Sequence, residues 1–122
     1  MQILKCLHAA ILVSDLTRAE YFYGAVLGLS KVSRELRFPG AWYQVGDYQI
    51  HLMLGHCDRA RELPEKWGRD RHIAFAVADL DEAKKQLQEH NYPIQMSASG
   101  RAALFVQDPD GNIVELSAPP TA

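Results

Sequence analysis

The chain has 122 residues, 48% of them apolar and 23% charged, with a formal net charge of −2. That is enough for one domain with a real core, and the scattered basic residues form none of the concentrated patches a nucleic-acid partner needs. No apolar run approaches the roughly 20 residues of a membrane span, and Met1-Gln2-Ile3-Leu4-Lys5 lacks the features of a secretion signal, so the expected location is the cytoplasm.

Taken in chain order, alternating apolar residues predict a first strand from Cys6 to Val13. Asp15 is placed to cap a helix whose buried stripe is Leu16, Ala19, Phe22, Tyr23, Val26 and Leu27, with Gly28 as its stop. Strands are expected near Leu29–Leu36, Trp42–Val45 and Tyr48–Leu54, the last two joined by a tight turn at Gly46-Asp47. Residues 55–69 are polar and loop-like and read as a connector. A strand from Arg71 to Val77 follows, then a helix opened by Asp79 or Asp81 and ended by Asn91 and Pro93. Strands near Pro93–Ala98, Ala102–Gln107 and Asn112–Ala118 complete the chain, and Asp110-Gly111 is its strongest turn signal.

The second series repeats the first. Ser14-Asp15-Leu16 corresponds to Ala78-Asp79-Leu80, Ala19 to Ala83, and Asp47–His51 to Gly111–Glu115, each 64 positions on. The fold expected is α+β, with tandem βαβββ modules over about 5–54 and 70–118 in a single domain. Four ligand-type side chains obey the same displacement: His8 and His51 stand 43 apart, as do His72 and Glu115.

Strand alternation puts these four on one side. His8 opposes Leu7, Ala9, Ile11 and Val13; His51 opposes Ile50, Leu52 and Leu54; His72 opposes Ile73, Phe75 and Val77; Glu115 opposes Val114 and Leu116. The apolar face can pack on a helix, while each candidate ligand faces away among small neighbours such as Ala10, Ala74, Ala76 and Ser117. One strand histidine alone is an ordinary surface or hydrogen-bonded residue; equivalent placement of all four favours a metal site. His56 and His90 share no such pattern and read as solvated. Cys6 alternates onto the face of His8 and reads as a small buried filler, and a Cys6–Cys57 disulfide is not expected in a reducing compartment.

The segments Leu7–Leu16, Phe22–Leu29, Arg71–Leu80 and Asp108–Leu116 together resemble the vicinal oxygen chelate superfamily, which includes glyoxalase I, fosfomycin-resistance proteins, extradiol dioxygenases and bleomycin-sequestering proteins. The resemblance spans Leu7 to Leu116. It implies curved sheets forming a cup, helices on the convex side, and one divalent ion (Ni, Co, Zn, Mn or Fe(II)) held by His8, His51, His72 and Glu115. It also implies a homodimer in which each site takes residues from both subunits. One position departs: glyoxalase I carries a Glu where this chain has His51. The fosfomycin thiol transferases match at His8, His72 and Glu115 without a ligand role for His51.

Three neutral imidazoles and one carboxylate carry a charge of −1, so a divalent ion leaves the site at +1 and favours an anionic small molecule. The function implied is a metal-dependent lyase or isomerase acting on vicinal oxygens, with Glu115 as base. The alternatives are extradiol-type oxygenation, thiol transfer to an epoxide, and metal-free small-molecule binding. Arg101 and Trp42 are the candidate substrate residues; Tyr43, Gln44 and Arg37 are weaker ones.

Overall fold

The computed structural model describes residues 1–57 and 62–120. The chain divides into two compact units, Met1–Cys57 and Asp58–Ala122. Residues 58–61 of the expected connector lie outside the described residues.

Each unit runs strand, helix, three strands. The first comprises β1 (His8–Val13), α1 (Leu16–Glu20) continuing as a π-helical segment (Tyr21–Val26), β2 (Ser30–Val32), β3 (Gly40–Val45) and β4 (Tyr48–Leu54). The second comprises β5 (His72–Ala76), α2 (Leu80–Glu89), β6 (Ile94–Met96), β7 (Ala103–Gln107) and β8 (Ile113–Ser117). The sheet orders are β1-β4-β3-β2 and β5-β8-β7-β6, and in both the first strand lies parallel to the last. The fold is therefore α+β and built from two βαβββ modules.

The repeat extends to atomic detail. Asp15 and Asp79 cap α1 and α2 with nearly the same backbone angles (φ −139, ψ 109 and φ −142, ψ 109). Asp15 Oδ1 accepts from the Arg18 amide at 3.0 Å and Asp79 Oδ1 from the Glu82 amide at 3.1 Å, satisfying helix-end donors. Gly28 ends the first helix in the left-handed region, at φ 76, and Asn91 follows the second at φ 62.

Alternation divides the residues of each sheet between two faces. Val13, Ala41, Tyr43, Ile50 and Leu52 are buried on the face toward α1, with Ala19, Phe22, Tyr23 and Val26. Leu104, Val106, Val114 and Leu116 are buried on the corresponding face of the second sheet, and Leu87 of α2 is buried with them. The other faces carry the ligand-type side chains. The β7–β8 turn is built by the buried Asp108, whose Oδ1 accepts from the Asp110 and Asn112 amides at 2.9 and 2.8 Å. Gly111 there takes φ 83, open to glycine without steric cost.

Three expectations are corrected. β2 ends at Val32, well short of Leu36, and beyond it the Arg34 side chain lies over Trp42. Cys6 is exposed, since β1 starts only at His8 and leaves it outside the sheet. The segment before β5 holds a 3₁₀ turn, Trp67–Arg69, where only loop was expected. Cys57 is outside any disulfide, and its thiol donates to the Leu12 carbonyl at 3.3 Å. Among the described residues, no helix is long and apolar enough to cross a membrane.

Tyr43 gives the first core a titratable reporter. Gly24 leaves room for its ring: a Cβ there would lie 3.4 Å from the phenol oxygen. Burial, reinforced by the negative charge of Glu20, pushes the phenol up to about 12 from 10.0. Tyr43 therefore contributes stability that is full below pH 10 and lost as the pH rises toward 12. Denaturant titrations should show a loss on the order of 2 kcal/mol across that range that Tyr43→Phe lacks. Equal alkaline losses in the two proteins would place the phenol in water.

Candidate metal centre

The parallel pairing of first and last strands fixes the positions of the candidate ligands. Ala10 lies opposite His51 in the β1–β4 ladder, and Ala74 lies opposite Glu115 in the β5–β8 ladder. His8 pairs with Gln49 and His72 with Ile113, the same register 64 positions on. Each unit thus presents a ligand-type residue from its first strand and one from its last on the same face, with a small residue beside it.

In the first unit the His8 and His51 ring centroids are 6.4 Å apart at 73°. Trp42, opposite His51 on β3, stacks flat against it (4.0 Å, 9°) and meets His8 edge-on at 5.1 Å. The Arg34 guanidinium lies 4.0 Å from the Trp42 ring centroid, a cation–π contact, and donates to Gln49 Oε1 at 3.4 Å. Burial pushes the His51 pKa below 6.5, and the nearby charges of His8 and Arg34 push the same way. His51 is thereby held as the neutral imidazole, the form that binds metal. Gly40 leaves the ring clear: a Cβ there would strike the Leu52 carbonyl and lie 3.4 Å from His51 Nε2.

In the second unit His72 Nδ1 is 2.7 Å from the Asp70 carbonyl. A carbonyl only accepts, so Nδ1 carries the hydrogen and the neutral ring keeps its lone pair on Nε2. That Nε2 is 3.4 Å from Glu115 Oε1. Glu115 is 6% exposed. Burial alone would raise its pKa, but the Ser117 hydroxyl (2.7 Å from Oε2), Arg101 (3.2 Å from Oε1) and His72 more than offset this and keep it below the ordinary value. Two electron-pair donors therefore converge at a separation that lets both reach one cation at about 2.0–2.2 Å. A backbone-fixed imidazole and an ionised carboxylate make a donor set fit for a divalent ion.

Beside this pair is a cavity of about 540 Å³. Lys66, Arg69 and Arg101 line it, with Ser97, Ser99 and Phe105. Phe105 meets His72 edge-on at 5.5 Å. The Trp67–Arg69 turn is pressed onto Phe105 at Gly68, where a Cβ would fall 2.6 Å from the ring. Gln95 holds that turn, accepting from the Trp67 amide at 2.7 Å and donating to the Glu65 carbonyl at 2.9 Å.

The structure thus gathers the expected ligands as two pairs, one in each unit. Among the described residues no group of three or more His, Cys, Asp or Glu side chains that could hold an ion is found. Arg101 touches Glu115 and lines the cavity, and Trp42 lies against both histidines of its unit. Tyr43 is in the core, Gln44 shares the Trp42 face, and Arg37 and His56 are exposed. His90 is exposed at the end of α2, its Nδ1 2.8 Å from the Gln86 carbonyl. Sequence reasoning missed Arg34, Lys66 and Arg69. Lys66 and Arg69 sit in a stretch read as loop, and Arg34 lies where strand was expected; neither stretch has a periodicity that would aim a side chain.

The chain belongs to the Glyoxalase/Bleomycin resistance protein/Dioxygenase superfamily, whose model matches residues 5–116. It is 34% identical over 119 residues to the uncharacterized protein YaeR of Escherichia coli strain K12, covering 89% of this chain and 92% of that one. It is 31% identical over 113 residues to the glutathione transferase FosA of Serratia marcescens, covering 89% and 77%. A crystal structure of a putative glyoxalase family protein from Bacillus anthracis matches with a TM-score of 0.76 at 23% identity, over 95% of each chain.

The covering of His51 can be read directly. By NMR, its ring should titrate below pH 6.5 in the metal-free protein, and Trp42→Ala should uncover it and move the midpoint up. A midpoint at or above 6.5 in the unsubstituted protein would contradict the stacked, neutral imidazole.

Proposed function

We propose that the chain is a metal-dependent lyase or isomerase of the glyoxalase type, acting on a small anionic substrate with two neighbouring oxygens. The observation that carries this is the convergence of His72 Nε2 and Glu115 Oε1 at 3.4 Å, with the imidazole fixed through Asp70. His8 and His51, at equivalent places in the first unit, supply the remaining ligands. The four would meet in a homodimer whose subunits share their sites. Ni, Co, Zn, Mn or Fe(II) suits such nitrogen and oxygen donors.

When bound, the ion supplies Lewis-acid polarisation of the substrate oxygens. The protein does the rest. Glu115 takes the proton from the hydroxyl-bearing carbon and returns it to the neighbouring carbonyl carbon, while the hydroxyl proton passes to the former carbonyl oxygen, an isomerisation that balances without any other reactant. Lys66, Arg69 and Arg101 draw the anionic end of the substrate into the cavity. Trp42 and Phe105 hold the imidazoles of their own units in place by ring contact.

A second reading, thiol transfer to an epoxide, is favoured by the likeness to FosA together with the basic cavity.

Elemental analysis of the purified protein, loaded and desalted, tests the reading. About one ion per chain is expected, with roughly a tenfold or greater loss of affinity in Glu115→Gln and His51→Ala. Solvent deuterium should then enter members of a 2-oxo and 2-hydroxy substrate panel. Thiol consumption with fosfomycin and no deuterium uptake would move the assignment to the transferase. An absence of bound metal after loading would overturn both.

A further inference from the structure

Arg101 occupies two places at once. Its guanidinium is 3.2 Å from Glu115 Oε1, the same oxygen that faces His72, while its side chain, 58% exposed, forms part of the cavity wall with Lys66 and Arg69. Glu115 is buried, so its carboxylate calls for a compensating cation close by. In the metal-free chain Arg101 is that cation. A divalent ion on Oε1 would take over much of that role, and the guanidinium 3.2 Å from the same oxygen would repel it. The ion and the guanidinium are therefore rivals for the same atom.

The cavity gives the displaced arginine somewhere to go. Lys66 and Arg69 already make it basic, and Ser97 and Ser99 face it with hydroxyl groups 2.8 Å apart. Glu65 is its acidic member. An oxyanion there would find two cations and two hydroxyls waiting, and a third cation within reach. Arg101 is well suited to this, because its fork binds a carboxylate or another oxyanion equally well.

Resting on the metal-centre reading above, we infer that Arg101 is a positioning residue that couples the two sites. It guards Glu115 while the cavity is empty, and an oxyanion in the cavity draws it away, opening the carboxylate to the metal. The metal and the anion then bind with positive coupling, each favouring the other through one side chain. Arg101 is itself 58% exposed, and matching circular dichroism and thermal melts establish that R101Q and R101K keep the fold before any titration.

The test uses the full chain and reads metal affinity rather than turnover. Mn(II) binding is measured by titration calorimetry for the unsubstituted protein, R101Q and R101K, in chloride and in sulfate at matched ionic strength. Removing the rival cation in R101Q should tighten Mn(II) binding roughly three- to tenfold. Sulfate should tighten binding in the unsubstituted protein and have no effect in R101Q, and R101K should keep part of the response. Equal or weaker affinity in R101Q overturns the inference, as does a sulfate effect that survives that substitution. Failure of the unsubstituted protein to bind any ion overturns the metal centre and this coupling together, which sets that outcome apart from failure of the coupling alone.

Discussion

Everything at the candidate centre depends on one backbone constraint: the ladder between the first and last strands of each unit. Parallel pairing sets Ala10 against His51 and Ala74 against Glu115. A slip of one residue in either ladder would exchange the faces and turn a ligand into the apolar core. The register is held from both sides. Ile50, Leu52, Val114 and Leu116 have to face the helix, since burying apolar surface is the dominant favourable term in folding. The tight turns before β4 and β8 set where those strands begin.

Given the register, the two units hold their candidate ligands by different means. The first uses aromatic contact: Trp42 stacks on His51, whose pKa burial lowers, with Arg34 against the same indole. The second uses polar contact: the Asp70 carbonyl fixes the His72 tautomer, and Ser117 and Arg101 keep Glu115 ionised. The repeat shares its backbone, while the surroundings of the candidate ligands differ between its halves. The cavity and its basic side chains belong to the second unit, close to the carboxylate.

Much of this was legible in the sequence because it rests on periodicity. Alternation identified the faces of β1, β4, β5 and β8, and the 64-residue displacement aligned Asp15 with Asp79 as caps and His51 with Glu115 as candidate ligands. The parts that were not legible lack a period. Arg34 lies in an irregular stretch after β2, and its aim toward Trp42 follows from where that strand stops. The Trp67–Arg69 turn is fixed by contacts far along the chain, Gln95 and Phe105, which no local pattern announces. Cys6 appeared to continue the β1 alternation, but a ladder that starts at His8 cannot bury it.

In the proposed centre His8, His51, His72 and Glu115 hold one ion together. X-ray absorption at the metal edge of the Ni(II)-loaded protein examines it most directly, because imidazole rings leave a multiple-scattering signature that can be counted. A shared centre predicts the signal of three imidazoles with oxygen donors completing the shell, falling to two in His51→Ala. A spectrum fitted by one or two imidazoles, unchanged by that substitution, would show that the two pairs do not grip a common ion.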